Sequence, residues 1–248
     1  MRALVLCAVA STFVWASLGL CCCSDGGTSK QKREENGMTG KEGVISLPAP
    51  RLTSDCSVEQ ALRQRRSVRS YRAEPLSTRE LGQLLWAAYG VTKEMPLPPF
   101  LRGGLRTAPS AGALYPLEIY AIVGDVTGLA PGIYRYQSAG HALERVASGD
   151  RRQDLARAAW DQSFIAKAPL ALVYTAVFAR TTGKYGQRGR ERYVCMDLGH
   201  SAENVYLQAE ALGLGTCAVG AFNDEAVRAA LGIKAEEEPL YIMPVGRK

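Results

Sequence analysis

Apolar and polar positions change period several times along this chain, and each change marks an element. Residues 2–23 carry one arginine followed by a charge-free, largely apolar run that ends at Cys21-Cys22-Cys23, and residues 24–37 are then almost entirely polar or glycine. Ser57–Gln64 has helical spacing. Ser77-Thr78-Arg79-Glu80 has the form of a capping box and opens an amphipathic helix closed by Gly90. Leu117–Val123 predicts a strand ended by Gly124-Asp125. Period-two alternation over Gly132–Tyr136 and Ala142–Val146, on either side of Ser-Ala-Gly-His, predicts a hairpin. Arg151–Trp160 reads as a helix and Pro169–Ala176 as a buried strand. Glu191–Leu212 reads as the longest helix, stopped by Gly213 and Gly215 before a strand over Thr216–Val219. A helix over Asp224–Leu231 is capped by Asn223, and Leu240–Val245 is a terminal strand. Strands alternating with helices, with one hairpin among them, predict the α+β class: a mixed sheet with helices on both faces.

The same pattern divides the chain into residues 1–23 as a leader, 24–50 as a flexible tether and 51–248 as one catalytic-size domain without internal repeats. A short positive end before an apolar run is the form of an export signal, and the run is long enough to span a bilayer if uncut. Cys21, Cys22 and Cys23 suggest a bacterial lipoprotein signal, although Leu20 stands where a small residue is usual. Cleavage after Ala16 and a true start near Met38 are competing readings. The expected location is therefore outside the cytoplasm, held to the periplasmic side of the membrane through the leader, or cytoplasmic if translation starts at Met38.

Composition narrows the class further. The chain has 248 residues, 47% hydrophobic and 22% charged, which excludes disorder, collagen and coiled coil. Its net charge of +6 is spread among interleaved acidic residues, so a mildly cationic surface is expected and nucleic acid is not an expected partner. Four of the seven cysteines lie in the leader. Cys56, Cys195 and Cys217 are too scattered for a disulfide framework, and Cys195 and Cys217 read as core or near-core residues. No C-x-x-C or H-E-x-x-H motif suggests a metal, and no G-x-G-x-x-G follows a strand. His200 and Cys195, five positions apart on a helix, point about 140° apart and cannot form a nucleophile–base pair.

Three stretches carry candidate chemistry. Arg65, Arg66, Ser67 and Arg69 fall within five residues, and an extended backbone would send Arg65, Ser67 and Arg69 to one side, where they could grip a phosphate. In Thr107–Pro116, small residues between Pro109 and Pro116 let backbone approach a flat ligand, with Ser110 and free N–H groups as donors. Lys184-Tyr185, expected in a loop flanked by Gly183 and Gly186, could supply a general base or proton relay. The glycine-rich Gly213–Gly220 and the cationic tail ending in Arg247 and Lys248 add donors around one anionic ligand.

The ordered series R-R-S-V-R-S-Y, P-S-A-G-A-L-Y-P-L-E-I-Y, G-I-Y-R-Y, K-Y-G-Q-R-G-R-E-R-Y, D-L-G-H-S-A-E-N-V-Y-L-Q-A-E-A-L-G-L-G and P-L-Y-I-M-P-V-G resembles the nitroreductase superfamily over residues 57–248. Within it, the series resembles the SagB-type branch that includes thiazole- and oxazole-forming dehydrogenases. The resemblance implies a domain-intertwined homodimer with two shared FMN sites and hydride transfer between a small or peptide-derived substrate and flavin N5. Arg65, Arg66, Ser67 and Arg69 would then hold the phosphate and ribityl chain. Pro109, Ser110, Ala111 and Gly112 would approach the flavin from the partner subunit. Ala218, Val219 and Gly220 would lie along the ring, and Arg247 would close on the phosphate. Lys184 would be the base and Tyr185 its neighbour or relay. Ala113 and Tyr115-Pro116-Leu117 replace the Asn and Gln-Pro-Trp of general nitroreductases, as in the SagB-type branch. NAD(P)H, oxygen and quinones are all compatible as electron donor or acceptor. A dimeric binding or partner protein that keeps the fold without catalysis is the alternative.

Overall fold

A computed structural model describes residues 43–248; the expected leader, and the tether up to residue 42, lie outside them. In chain order the elements are β1 (Val44–Ser46), α1 (Val58–Gln64), β2 (Leu76–Ser77), α2 (Thr78–Tyr89), β3 (Val91–Met95), β4 (Gly103–Arg106), β5 (Leu117–Val123), β6 (Val126–Thr127), β7 (Gly132–Gln137) and β8 (Ala142–Ser148). There follow α3 (Arg152–Ala158), α4 (Phe164–Lys167), β9 (Leu170–Ala176), α5 (Ala179–Arg188), α6 (Val194–Ala211), β10 (Leu214–Thr216), α7 (Asp224–Leu231) and β11 (Glu238–Arg247). A π-helical turn over Gly189–Tyr193 joins α5 to α6.

The main sheet has seven strands in the order β1-β8-β7-β5-β9-β11-β10. Its alternation sets the layers. Leu170, Leu172 and Tyr174 of β9 face one core with Leu81, Leu84 and Leu85 of α2 and Val205 of α6. Ala171 and Val173 face the other core, with Leu155 of α3 and Val227 and Leu231 of α7. All seven residues of β9 are buried, so the strand reads as a continuous apolar run rather than an alternating one. Helices thus cover both faces, as the pattern predicts. The expectation of a mixed sheet is refined: every neighbouring pair in the seven-stranded sheet is antiparallel. The parallel pairings described are the short β2–β6 pair and an isolated bridge between Ser67 and Thr216.

Local signals account for the helix starts. Ser77 accepts a hydrogen bond from the Glu80 N–H while the Glu80 carboxylate accepts from the Ser77 N–H, which completes the capping box. Ser57 and Asn223 cap α1 and α7 by accepting the Gln60 and Ala226 N–H groups, without the reciprocal bond.

Several expectations need correction. The tether stops short of residue 50, because Val44–Ser46 pairs with β8 and Leu47 is buried in the first core. The strand expected over Thr216–Val219 is β10, ending at Thr216; past it only Val219 exchanges hydrogen bonds with Ile242. Val91–Arg106, without a readable pattern, folds as the β3–β4 hairpin. Lys184-Tyr185 lies on α5 rather than in a loop, and the helical geometry breaks only at Gly186. Cys217 is buried as expected, but Cys195 is exposed: α6 turns Asp197, Leu198, Ser201 and Ala202 inward, which leaves Cys195 on the opposite side. Among the described residues no helix is long and apolar enough to cross a membrane.

Candidate functional site

Two clusters form around α6. In the first, the arginine segment docks beside β10: Val68 N–H donates to the Thr216 carbonyl at 2.9 Å. Glycine at 215 permits that approach, since a Cβ there would stand 2.7 Å from the Val68 side chain. Tyr206 of α6 joins the two strands. Its hydroxyl lies 3.1 Å from Ser67 Oγ and accepts the Ala218 N–H at 2.8 Å. Arg65 reaches Glu203 at 3.2 Å and its guanidinium sits 5.6 Å from the Tyr206 ring centroid. Arg65 and Ser67 therefore share a side, as extended geometry requires. Arg66 does not join them; it folds back to donate to the carbonyls of Arg63 and Arg65. Arg69 is exposed and has no ion-pair partner among the described residues. Arg247 is held by Glu80 at 2.9 Å and Glu74 at 3.6 Å. Of the three residues expected along the ring, Ala218 N–H is taken by Tyr206 and Val219 N–H by Ile242, which leaves that of Gly220.

The second cluster brings the small-residue loop and the Lys–Tyr pair together. Asp197, buried on α6, accepts from Ser110 Oγ–H and, at 3.2 Å, from the Ala111 N–H. Burial pushes its carboxyl above the usual aspartate range, against the pull of Ser110, Ala111 and His200. Ser110 Oγ also accepts the Tyr115 N–H at 2.9 Å, so it serves the loop rather than standing free as a donor. Ala113 and Tyr115 sit at φ 54° and 48°, a left-handed conformation that costs a β-carbon-bearing residue energy and persists only where surroundings hold it. Tyr185 packs edge-on to Tyr193 at 4.9 Å. The Pro109–Gly112 loop meets α5 at Gly112, where an added Cβ would stand 2.7 Å from Tyr185 Oη and 3.2 Å from Lys184 Nζ.

Gly112 also has φ +64°. Because the two contacts are with the ends of flexible side chains, the backbone term dominates: Gly112→Ala is expected to cost about 1–2 kcal/mol and to push Tyr185 aside. Urea unfolding measures the first effect, and a changed Tyr185 environment in aromatic NMR signals reports the second.

The two clusters are not one site within a single chain. Asp197 and Tyr206 are nine positions apart on α6, which is about 13 Å along the axis and about 180° around it. Ser201 and Asn204 fix the inward face, donating to the Ala88 and Ala87 carbonyls of α2 at 2.6 and 3.1 Å. Tyr206 thus reaches the arginine segment from the other side of the helix. Sequence reasoning missed Tyr206 and Asp197 as the residues that organise the clusters, since each lies inside an ordinary helical pattern.

A seven-stranded antiparallel sheet between helical layers, with these two clusters flanking its long helix, is the oxidoreductase fold of the nitroreductases. The chain belongs to that family: the Nitroreductase family model matches residues 62–247. The nitroreductase-like protein MJ1384 of Methanocaldococcus jannaschii is 50% identical over 194 residues, 78% of this chain and 92% of its own length. The microcin B17-processing protein McbC of Escherichia coli is 30% identical over 164 residues, 64% of this chain and 57% of McbC, so relatives include the SagB-type branch. A nitroreductase-like crystal structure from Ralstonia eutropha matches with a TM-score of 0.70 at 33% identity, covering 83% of this chain and 90% of that one.

Proposed function

We propose that this chain is an FMN-dependent oxidoreductase of the SagB-type branch, acting as a homodimer whose two sites each draw residues from both chains. The observation that carries this reading is the separation of the clusters on opposite faces of α6. Arg65, Ser67, Arg69 and Gly220 are donors without a facing base, and Lys184-Tyr185 with Gly112 is a candidate proton-handling group without a phosphate grip. A second copy would supply to each what it lacks.

The first cluster suits a phosphorylated cofactor. Arg66 and Arg69 face solvent without a carboxylate partner among the described residues, and Arg65 is only half-occupied by a partly exposed glutamate. The Arg65 and Arg69 guanidiniums and the Ser67 hydroxyl would hold the phosphate through charge-assisted hydrogen bonds, and Arg66 would have to leave the Arg63 and Arg65 carbonyls to take part. Arg247 would have to leave Glu80 to take part. Bound FMN would supply two-electron hydride exchange at N5. On the protein side, Lys184 Nζ would accept or deliver a proton at the substrate, and the Tyr185 hydroxyl would orient or relay it. Tyr193 limits where the Tyr185 ring can turn. Asp197 would keep the small-residue loop in its strained shape so that its backbone can lie flat on a ligand.

McbC by its name processes a peptide, and this supports a peptide-derived substrate beside small molecules. NAD(P)H is a natural electron donor to test. The leader over residues 1–23 would carry the domain across or onto a membrane, and fractionation with N-terminal sequencing would check this.

The purified full chain should be yellow and release FMN on denaturation; a colourless protein that cannot be reconstituted with FMN overturns the reading. Arg65→Ala and Arg69→Ala should each weaken FMN binding by about 10- to 100-fold, since each removes a charge-assisted contact of about 1.5–3 kcal/mol. Flavin fluorescence titration measures this, and unchanged affinity in both variants would remove the phosphate from this segment.

A further inference from the structure

Four arginines from distant parts of the chain, Arg102, Arg106, Arg135 and Arg180, converge on a cavity of about 360 Å³ where β5 begins and β7 ends. Two carboxylates answer them. Glu118 lies between Arg102 at 2.7 Å and Arg180 at 2.6 Å, and Glu144 takes Arg135 at 2.7 Å. Nothing answers Arg106. Its guanidinium is stacked 4.3 and 4.7 Å from the ring centroids of Tyr89 and Tyr115, and its side chain has no hydrogen-bond acceptor among the described residues. The buried Nε atoms of both Arg106 and Arg102 are without partners there.

Four guanidiniums against two carboxylates leave two positive charges in excess. At a solvated surface such an excess costs little. For Arg106, which is largely buried, it is expensive, because a buried charge without a counter-charge loses several kcal/mol of hydration. Neutralising Arg106 is no escape: burial and the neighbouring Arg102 lower its pKa to about 10, still far above neutral pH. The two tyrosine rings stand nearly perpendicular and flank the guanidinium on two sides, and its Nε finds no acceptor there, so the group is held in place as a donor for a planar or tetrahedral oxyanion, which arginine binds bidentately. The volume lies within the range of small-molecule pockets.

We propose that this cavity is a second ligand site, distinct from both clusters at α6, which binds a small carboxylate- or phosphate-bearing molecule through Arg106 with Arg102 and Arg180 beside it. The assignment does not depend on the flavin reading.

The test uses the full-length protein as purified, with and without added FMN, and the Arg65→Ala, Arg69→Ala variant separates this cavity from any phosphate bound at the proposed cofactor place. Melting is followed with inorganic phosphate, with succinate and with sodium chloride at equal ionic strength. Phosphate or succinate should raise the melting temperature by about 3 °C over chloride at saturation. The larger rise identifies the ligand group as phosphoryl or carboxylate. Arg106→Met, which keeps the stacked stem, should abolish the rise. So should Ser138→Asp, which places a carboxylate on the cavity lining without touching the buried cations. The Arg65→Ala, Arg69→Ala double variant should retain the rise. No rise with either anion overturns the proposal. So does a rise that survives both Arg106→Met and Ser138→Asp, or one that disappears in the Arg65/Arg69 variant.

Discussion

Glu118→Ala is expected to destabilise the domain by about 3–5 kcal/mol, the cost of removing one partner from a buried ion pair. Its side chain is only 12% exposed and it answers two guanidiniums at once, with Arg106 close by and unanswered. An exposed pair such as Arg151–Asp154 would lose less than about 1 kcal/mol on the same change. For a domain of this size the loss corresponds to a fall in melting temperature of about 6–20 °C. The pH dependence has a definite sign. Burial raises the Glu118 pKa, but Arg102 and Arg180 outweigh it and hold the carboxyl below its ordinary 4.5. A depressed carboxylate stabilises the fold above its unfolded value and stops doing so as pH falls through its folded value. Thermal melts should therefore be flat near neutrality and drop below about pH 4.5, where unfolded glutamates begin to protonate. Glu118→Gln should show a shallower acid drop than the wild type; an unchanged profile would assign the acid sensitivity to other carboxylates.

Lys184→Ala is expected to lower turnover by about 10²–10⁴-fold, the range for loss of a positioned acid–base group, while FMN stays bound. Lys184 is exposed, so its loss should barely move stability, and the fall in rate can be read as chemistry. Full retained turnover would reduce the pair to a structural role. Co-assembly separates shared from single-chain sites. If each site combines the arginine segment of one chain with the Lys–Tyr pair of the other, a Lys184→Ala chain paired with an Arg65→Ala, Arg69→Ala chain contains one fully intact site and regains activity. If each site were built within one chain, every site in the mixed dimer would carry a defect and none would be regained.

How much of this was legible in the residues varies by element. The helix starts at Ser57, Ser77 and Asn223 were readable because a cap acts over three residues and needs no partner elsewhere. The strand at 117–123 and the hairpin at 132–148 were readable because turn residues and alternation are local. The boundary at Val44 was not: those residues become a strand only because β8 presents an open edge to them. β10 begins two residues and ends three residues before the stretch that local pattern predicts, since Val68 and Arg247, remote in sequence, decide where the ladder lies. The β3–β4 hairpin lacks alternation because it pairs outside the main sheet and stands largely exposed.

The candidate site shows the same division. Residue chemistry pointed to Arg65, Ser67, Arg69, Lys184 and Tyr185 as candidates, because guanidiniums bind phosphate and a Lys–Tyr pair can handle protons; the family resemblance added Gly112 and gave the set its meaning. The sequence could not reveal that Tyr206 ties Ser67 to Ala218, that Asp197 holds the small-residue loop, or that Arg247 is engaged by Glu80. Nor could it gather Arg102, Arg106, Arg135 and Arg180, which lie up to 78 positions apart and carry no shared motif. The sequence by itself determined the class of fold, the caps and the kinds of chemistry available, since these depend on local periodicity and on side-chain type. Only the tertiary structure decided which groups meet, which are buried and which charges go unanswered, because those depend on distances between residues that chain order does not encode.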